Sequence, residues 1–394
     1  MPPDKRAPLR EISPAAIHQR TEVKTMSEEK LELTLKEVAD MLIASIRFRG
    51  SREMIHQHLD KLHQQVRRYM NGKPLCLYHG GNARDGYDLE VCLPVSQPVA
   101  VRQITSRTLE GAWMVCTTHT GPYGSPEEEG SLSKCWQRFY ARLRDQSVGL
   151  AEGPPREVYL QGWLEHGEAS QEYVTELQEH LLLPRWLNRM ARGLDRLAGE
   201  VIMWQVMRGS DKLTALSSAG EKVHWVKGAM ERLDAMVDEE ARKEIMAGCA
   251  HIFPEARIQQ LQSEYTRLGD IDRLLQLMAQ DRSCGDYSYY SAPKREGNII
   301  YTTKIPFNPS GYQQATEESE KRFHYCHCPL VKEAIRAGQT ISATFCYCGS
   351  GWFKRLWTGI LGKPVRVEVL KTVLQGDDYC QFAIHLPSAE KNSF

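Results

Sequence analysis

The sequence predicts an α+β protein: a duplicated βαββ domain, followed by a helical domain that ends in a small α+β cysteine-rich unit. Three observations carry this. The order strand–helix–strand–strand occurs twice between residues 31 and 183; the pattern from 184 to about 281 is almost wholly helical; and from Cys284 onward cysteine pairs and short alternating segments take over. The expected domains are a polar arm at 1–30, the duplicated domain at 31–183 and a helical plus cysteine-rich domain at 184–394.

In the first copy, the strand-like segment Met41–Gly50 leads into a helix on which Ile55, Leu59, Leu62, Val66 and Tyr69 form one apolar face. Asn71-Gly72 stops that helix, since both residues tolerate a left-handed backbone. Two strands follow, Pro74–Tyr78 and Tyr87–Leu93, joined by a glycine-rich turn. The second copy begins at Trp113–Gly121 and places Leu132, Trp136, Phe139 and Leu143 on its helix. It continues through Arg156–Leu160 and Tyr173–Leu177. One βαββ unit leaves a sheet edge bare and encloses little core, so the two copies are expected to pair.

Strand alternation sorts the side chains into two faces. Aliphatic residues are assigned to the helix side: Leu75, Leu77, Leu89, Val91 and Leu93 in the first copy, Val158 and Leu160 in the second. That puts Tyr78 with Glu90, and Tyr159 with Glu157, on the opposite face, where Glu176 aligns with Glu90. Trp113, Tyr123 and Trp163 are further candidates for the walls. Glutamates with aromatic walls suit an apolar or cationic organic ligand, through Coulomb attraction and cation–π contact. The plain alternative is that these glutamates are solvated and the tyrosines are simply good strand formers.

Arg47-Phe-Arg-Gly50, Tyr78-His-Gly80, His119-Thr-Gly-Pro-Tyr123, Gly153–Leu160 and Thr175-Glu-Leu177 resemble the GyrI-like small-molecule-binding superfamily, which includes effector-binding domains of AraC-type and MerR-type regulators. The resemblance implies a pseudo-twofold βαββ pair that binds lipophilic, often cationic compounds, with Glu176 as the pocket glutamate. Some members act as sensors joined to a DNA-binding module. Others hydrolyse strained electrophiles, a reading that would make Glu176 and Tyr159 catalytic.

The helical middle carries stripes at Trp186, Met190, Leu194, Leu197 and Val201, and at Val226, Met230, Leu233 and Val237, with Asp270 or Asp272 as a helix cap. Near the end, Cys326-His-Cys328 and Cys346-Tyr-Cys348 are candidate zinc ligands, because alternate residues of an extended backbone point the same way. Reduced, buried thiols without metal are the alternative. Cys326-His-Cys-Pro329, Cys346-Tyr-Cys-Gly349, Gly362-Lys-Pro-Val365 and Gly376–Cys380 resemble a group related to L-2-amino-thiazoline-4-carboxylate hydrolase.

Fifty basic residues balance fifty acidic ones, so no global field favours nucleic acid or an anionic membrane. No run approaches the roughly eighteen apolar residues of a membrane helix, and the N-terminus lacks a signal-peptide core. Eleven cysteines without such a leader point to a reducing, cytoplasmic location. The expected partner is a small organic ligand, with a DNA-binding partner protein or a second copy as further options.

Overall fold

The computed structural model describes residues 31–82, 85–101, 103–125, 128, 130–162, 173–253, 255–280 and 291–387. The arm at 1–30, Trp163 and Cys284 lie outside these residues. The chain divides into two compact units, one of residues 1–146 and 153–180, the other of 147–152 and 181–394.

The first unit is built on one antiparallel sheet. Its strands are β1 (Thr34–Val38), β2 (Met41–Gly50), β3 (Leu75–Asn82), β4 (Gly86–Pro94), β5 (Thr105–Leu109), β6 (Ala112–Thr120), β7 (Arg156–Gln161) and β8 (Val174–His180). Helices α1 (Met54–Val66) and α2 (Leu132–Asp145) follow β2 and β6. The strand order is β1-β6-β8-β7-β3-β4-β2-β5. It reads the same from both ends when β1–β4 are exchanged for β5–β8. This is the form expected of a pseudo-twofold βαββ pair, with one addition. Short, polar β1 and β5 were not anticipated, and each lies on the far half of the sheet, β1 against β6 and β5 against β2. They occupy the two edges of the sheet.

The halves join at β3–β7 through Leu75↔Val158, Cys76↔Glu157 and Leu77↔Arg156. Cross-strand partners share a face, so these pairs fix the facing of the whole sheet. α1 packs Ile55, Leu59, Leu62 and Val66 on Ala44, Ile46, Cys76, Leu89, Val91 and Leu93. α2 reaches the same face, where Trp136 and Tyr140 hydrogen-bond to Glu157 and Glu179. Ser131 starts α2 by accepting from the Lys134 amide. On the opposite face Ile43, Leu75, Leu77, Cys92 and Leu109 form a separate cluster.

This corrects the facing read from sequence. Leu75 and Leu77 turn away from the helices, and Tyr78 turns toward them because it pairs with Leu89. Likewise Glu157 pairs with Leu177 and Tyr159 with Thr175 on the helix side, while Val158 pairs with Glu176 on the other. Both faces carry aliphatic residues, so aliphatic character did not identify the covered one.

The second unit begins with six helices: α3 (Leu182–Ala198), α4 (Glu200–Val206), α5 (Ala219–Met236), α6 (Glu239–Gly248), α7 (Glu255–Leu268) and α8 (Ile271–Gln280). A capping box of Ser218 and Glu221 opens α5, and Asp270 caps α8 by accepting from the Asp272 and Arg273 amides. The stripe on α3 ends at Leu194. Gly199, at φ 90°, breaks the helix, and Leu197 and Val201 are exposed.

Four strands then form a sheet in the order β11-β12-β10-β9: β9 (Lys294–Glu296), β10 (Ile299–Thr303), β11 (Arg366–Lys371) and β12 (Gln381–His385). Short helices α9 (Pro309–Gln314), α10 (Glu318–Tyr325) and α11 (Lys332–Arg336) precede the longer α12 (Tyr347–Leu361). A Cβ on Gly351 would lie 1.9 Å from the Ala247 carbonyl oxygen, so the close approach of α12 to α6 requires glycine there. No helix of the described residues is long and apolar enough to cross a membrane.

Candidate functional site

Glu157 sits at the centre of the sheet on the helix-covered face, and its side chain is 1% exposed. A carboxylate so buried needs donors on both oxygens. Arg52, in the turn before α1, donates from Nη2 to Oε1. Trp136 Nε1 donates to the same oxygen at 2.8 Å, and the Tyr159 hydroxyl donates to Oε2 at 3.1 Å. The Arg52 guanidinium also stands 5.6 Å from the centre of the Tyr78 ring. Burial opposes its charge, but the attraction of Glu157 and the neighbouring phenols raises its pKa above the ordinary value.

Aromatic rings surround this group. Tyr123, in the loop after β6, stacks on Tyr173 with centroids 4.6 Å apart, and lies 6.5 Å from Tyr159 and 5.9 Å from His56 of α1. Its hydroxyl meets Thr175 Oγ1 at 3.0 Å. His119 donates from Nε2 to the Pro122 carbonyl at 3.2 Å, and burial lowers its pKa, so the ring is a neutral wall. Burial, with the charge of Glu157, also pushes the Tyr78 and Tyr159 phenols well above their usual values, and they stay protonated. The buried Tyr78 hydroxyl stands near Glu157 without a hydrogen bond of good geometry. The cluster offers aromatic surface, polar tips and one paired carboxylate, which is the chemistry of a lipophilic-ligand site.

The structure therefore divides the residues singled out from sequence. Tyr78, Tyr123, Glu157 and Tyr159 come together. Glu90 and Glu176 do not: they lie on the other face, Glu90 held by Arg107 at 2.7 Å and His79 at 2.8 Å, and Glu176 by Lys36 at 2.8 Å. Glu176 and Tyr159 consequently point to opposite sides of the sheet and form no catalytic couple. Trp113 has helix-side parity but is 39% exposed at the start of β6, about 20 Å along the strand from His119. Sequence reasoning missed Arg52, His56, Trp136, Tyr173 and Thr175. Arg52 stands two residues beyond the quoted Arg47–Gly50 motif, and Trp136 was read as helix core although an indole N–H needs a partner when buried.

In the second unit, Cys326, Cys328, Cys346 and Cys348 share one apolar core with Cys249 and Cys380. Cys346 and Cys348 are not on extended backbone as expected. They lie where a 3-10 turn enters α12, so two residues of helix rotate their side chains about 200° apart. Cys346 lies near Cys326, Cys328, Cys380 and the Thr372 hydroxyl, and Cys348 near Cys249, Cys328, Lys304 and Trp186. Burial raises all of these thiols, the Cys348 thiol to about 11. Among the described residues no group of three or more His, Cys, Asp or Glu side chains is arranged to hold a metal.

Residues 304–391 match a family model described as a family of unknown function, DUF6144. No curated protein matches the chain. Among solved structures, the chain is similar to EcmrR in its DNA complex (21% identity, TM-score 0.35), covering 40% of this chain and 60% of that one. It is also similar to the EcmrR C-terminal domain (22% identity, TM-score 0.31), covering 38% of this chain and 97% of that one. A third is SAV2435 bound to tetraphenylphosphonium (13% identity, TM-score 0.29), with coverage of 38% and 94%. The chain thus spans 60% of the length of the EcmrR chain in that complex.

Proposed function

We propose that the first unit binds lipophilic organic molecules on the helix-covered face of its sheet, against Tyr78, Tyr123 and Tyr159 and over the Glu157 group, in a sensing or sequestering role. The observation that carries this reading is the convergence of aromatic side chains from β3, β7, α1 and two loops on one buried carboxylate at the centre of the sheet. Sheet cores are normally aliphatic, and a polar aromatic cluster at the centre of one departs from local rules in the way binding sites do. A sensing role would pass through a separate DNA-binding protein or a second copy.

Isothermal titration with triphenylphosphine oxide, a neutral compound with three aromatic rings, tests the reading. Saturable one-to-one binding is expected for the wild-type chain and its loss in Tyr123→Ala. Absence of saturable binding, or undiminished binding by Tyr123→Ala, would sink it.

A further inference from the structure

We propose that Arg52 is a built-in occupant of a cation site, so that the chain favours neutral aromatic ligands over lipophilic cations. The proposal rests on the binding reading above and adds which class of ligand the site takes. A buried organic cation needs a carboxylate to pair with, an aromatic face to lie on and a place out of water. Arg52 already has all three. Its Nη2 donates to Glu157 Oε1, its guanidinium lies over Tyr78, and its side chain is 18% exposed. Nη1 lies 3.4 Å from Ser133 Oγ, which ties the group to the first turn of α2.

The carboxylate is already paired on both oxygens. Trp136 shares Oε1 with Arg52, Tyr159 bonds Oε2, and Arg52 cancels the charge. An incoming cation meets a neutral site, and it gains Glu157 only by expelling a guanidinium from its ion pair. A neutral ligand needs no such exchange and can use the aromatic surface directly. The pair at Glu90 shows the contrast: Arg107 and His79 hold that carboxylate, and among the described residues no phenol or indole ring lies over the Arg107 guanidinium.

Arg52 is placed to act this way because it is outside the helix it precedes. Its carbonyl accepts from the Ile55 amide, which fixes the turn, while the long side chain runs to Glu157 and Ser133. Its removal leaves the α1 face of Ile55, Leu59, Leu62 and Val66 untouched.

The test compares two probes on the full chain by titration calorimetry: tetraphenylphosphonium, a cation, and triphenylphosphine oxide. The wild type should bind the neutral probe at least about tenfold more tightly than the cation. Arg52→Ala should tighten cation binding about tenfold or more, with a change of less than about threefold for the neutral probe. Arg52→Gln should do the same, and serves if the alanine variant fails to fold. Arg52→Ala combined with Glu157→Gln should lose the gained cation affinity. Equal wild-type affinity for the two probes, or no gain in either Arg52 variant, overturns the role of Arg52 and leaves the binding reading standing. If no form of the chain binds either probe, the binding reading fails and the proposal falls with it.

Discussion

The two faces of the first unit's sheet handle buried carboxylates in different ways. On the helix-covered face Glu157 is enclosed by Arg52, Trp136 and Tyr159, with phenol rings beyond them. On the other face Glu90 is held by Arg107 and His79, and Arg107 is 37% exposed. The difference is access to water. If Glu90 is lost, Arg107 can turn outward and rehydrate; if Glu157 is lost, Arg52 stays buried among aromatic rings. A second contrast concerns charge. Burial pushes Glu179, on the helix side, up to about 7 despite its bonds to Tyr140 and the His180 backbone. On the far face, burial is outweighed by the bonds from His79, Arg107 and Ser45, and Glu90 falls to about 2. Acid chemistry on the two faces therefore runs in opposite directions.

The largest break in this comparison should come from removing each carboxylate. Glu157→Ala strands a buried guanidinium and is expected to cost about 3–5 kcal/mol. Glu90→Ala should cost about 1–2 kcal/mol, because its arginine has a route to solvent. Urea unfolding of both variants measures the difference, and equal losses would remove the distinction between the faces.

The pH dependence sharpens it next. The folded chain holds the Glu179 proton more tightly than an ordinary carboxylate at 4.5, so its contribution to stability is complete below that pH and declines as pH rises through 7. Glu179→Gln should flatten this decline, by on the order of 2 kcal/mol between pH 4.5 and 8. Glu90 has the opposite sign: its contribution is present above pH 4.5 and is lost as pH falls toward 2, so Glu90→Gln should flatten the acid limb. Thermal melts across pH check both, and a variant profile parallel to wild type would contradict the corresponding assignment.

The smallest effect is expected at Tyr78. Its buried hydroxyl stands near Glu157 without a hydrogen bond of good geometry, so Tyr78→Phe should change stability by less than about 1 kcal/mol. A loss above about 1 kcal/mol in the same denaturation assay would mean that the hydroxyl is bonded after all.

Most of the strands of the first unit were legible in the sequence because alternation and turn residues mark them directly. β2 begins and ends where the apolar pattern does, at Met41 and Gly50. β1 and β5 were not legible: Thr34-Leu-Lys-Glu-Val38 and Thr105-Ser-Arg-Thr-Leu109 are short, polar and partly exposed, as edge strands tend to be. Alternation separates a strand's residues into two sets without saying which set a helix covers. Leu75 and Leu77 misled because the far face has its own aliphatic cluster, while the helix side at Glu157 and Tyr159 is polar. The Cys346–Cys348 pair misled for a related reason. Its spacing implies neighbouring thiols only on a strand, and the local backbone is helical.

The claim that ligands bind on the helix-covered face is tested most directly by a crystal structure of the full chain with triphenylphosphine oxide. The expected result is density for the ligand between α1 and α2, in van der Waals contact with Tyr78 and Tyr123. Density against Glu90, Glu176 or any other part of the opposite face would contradict it.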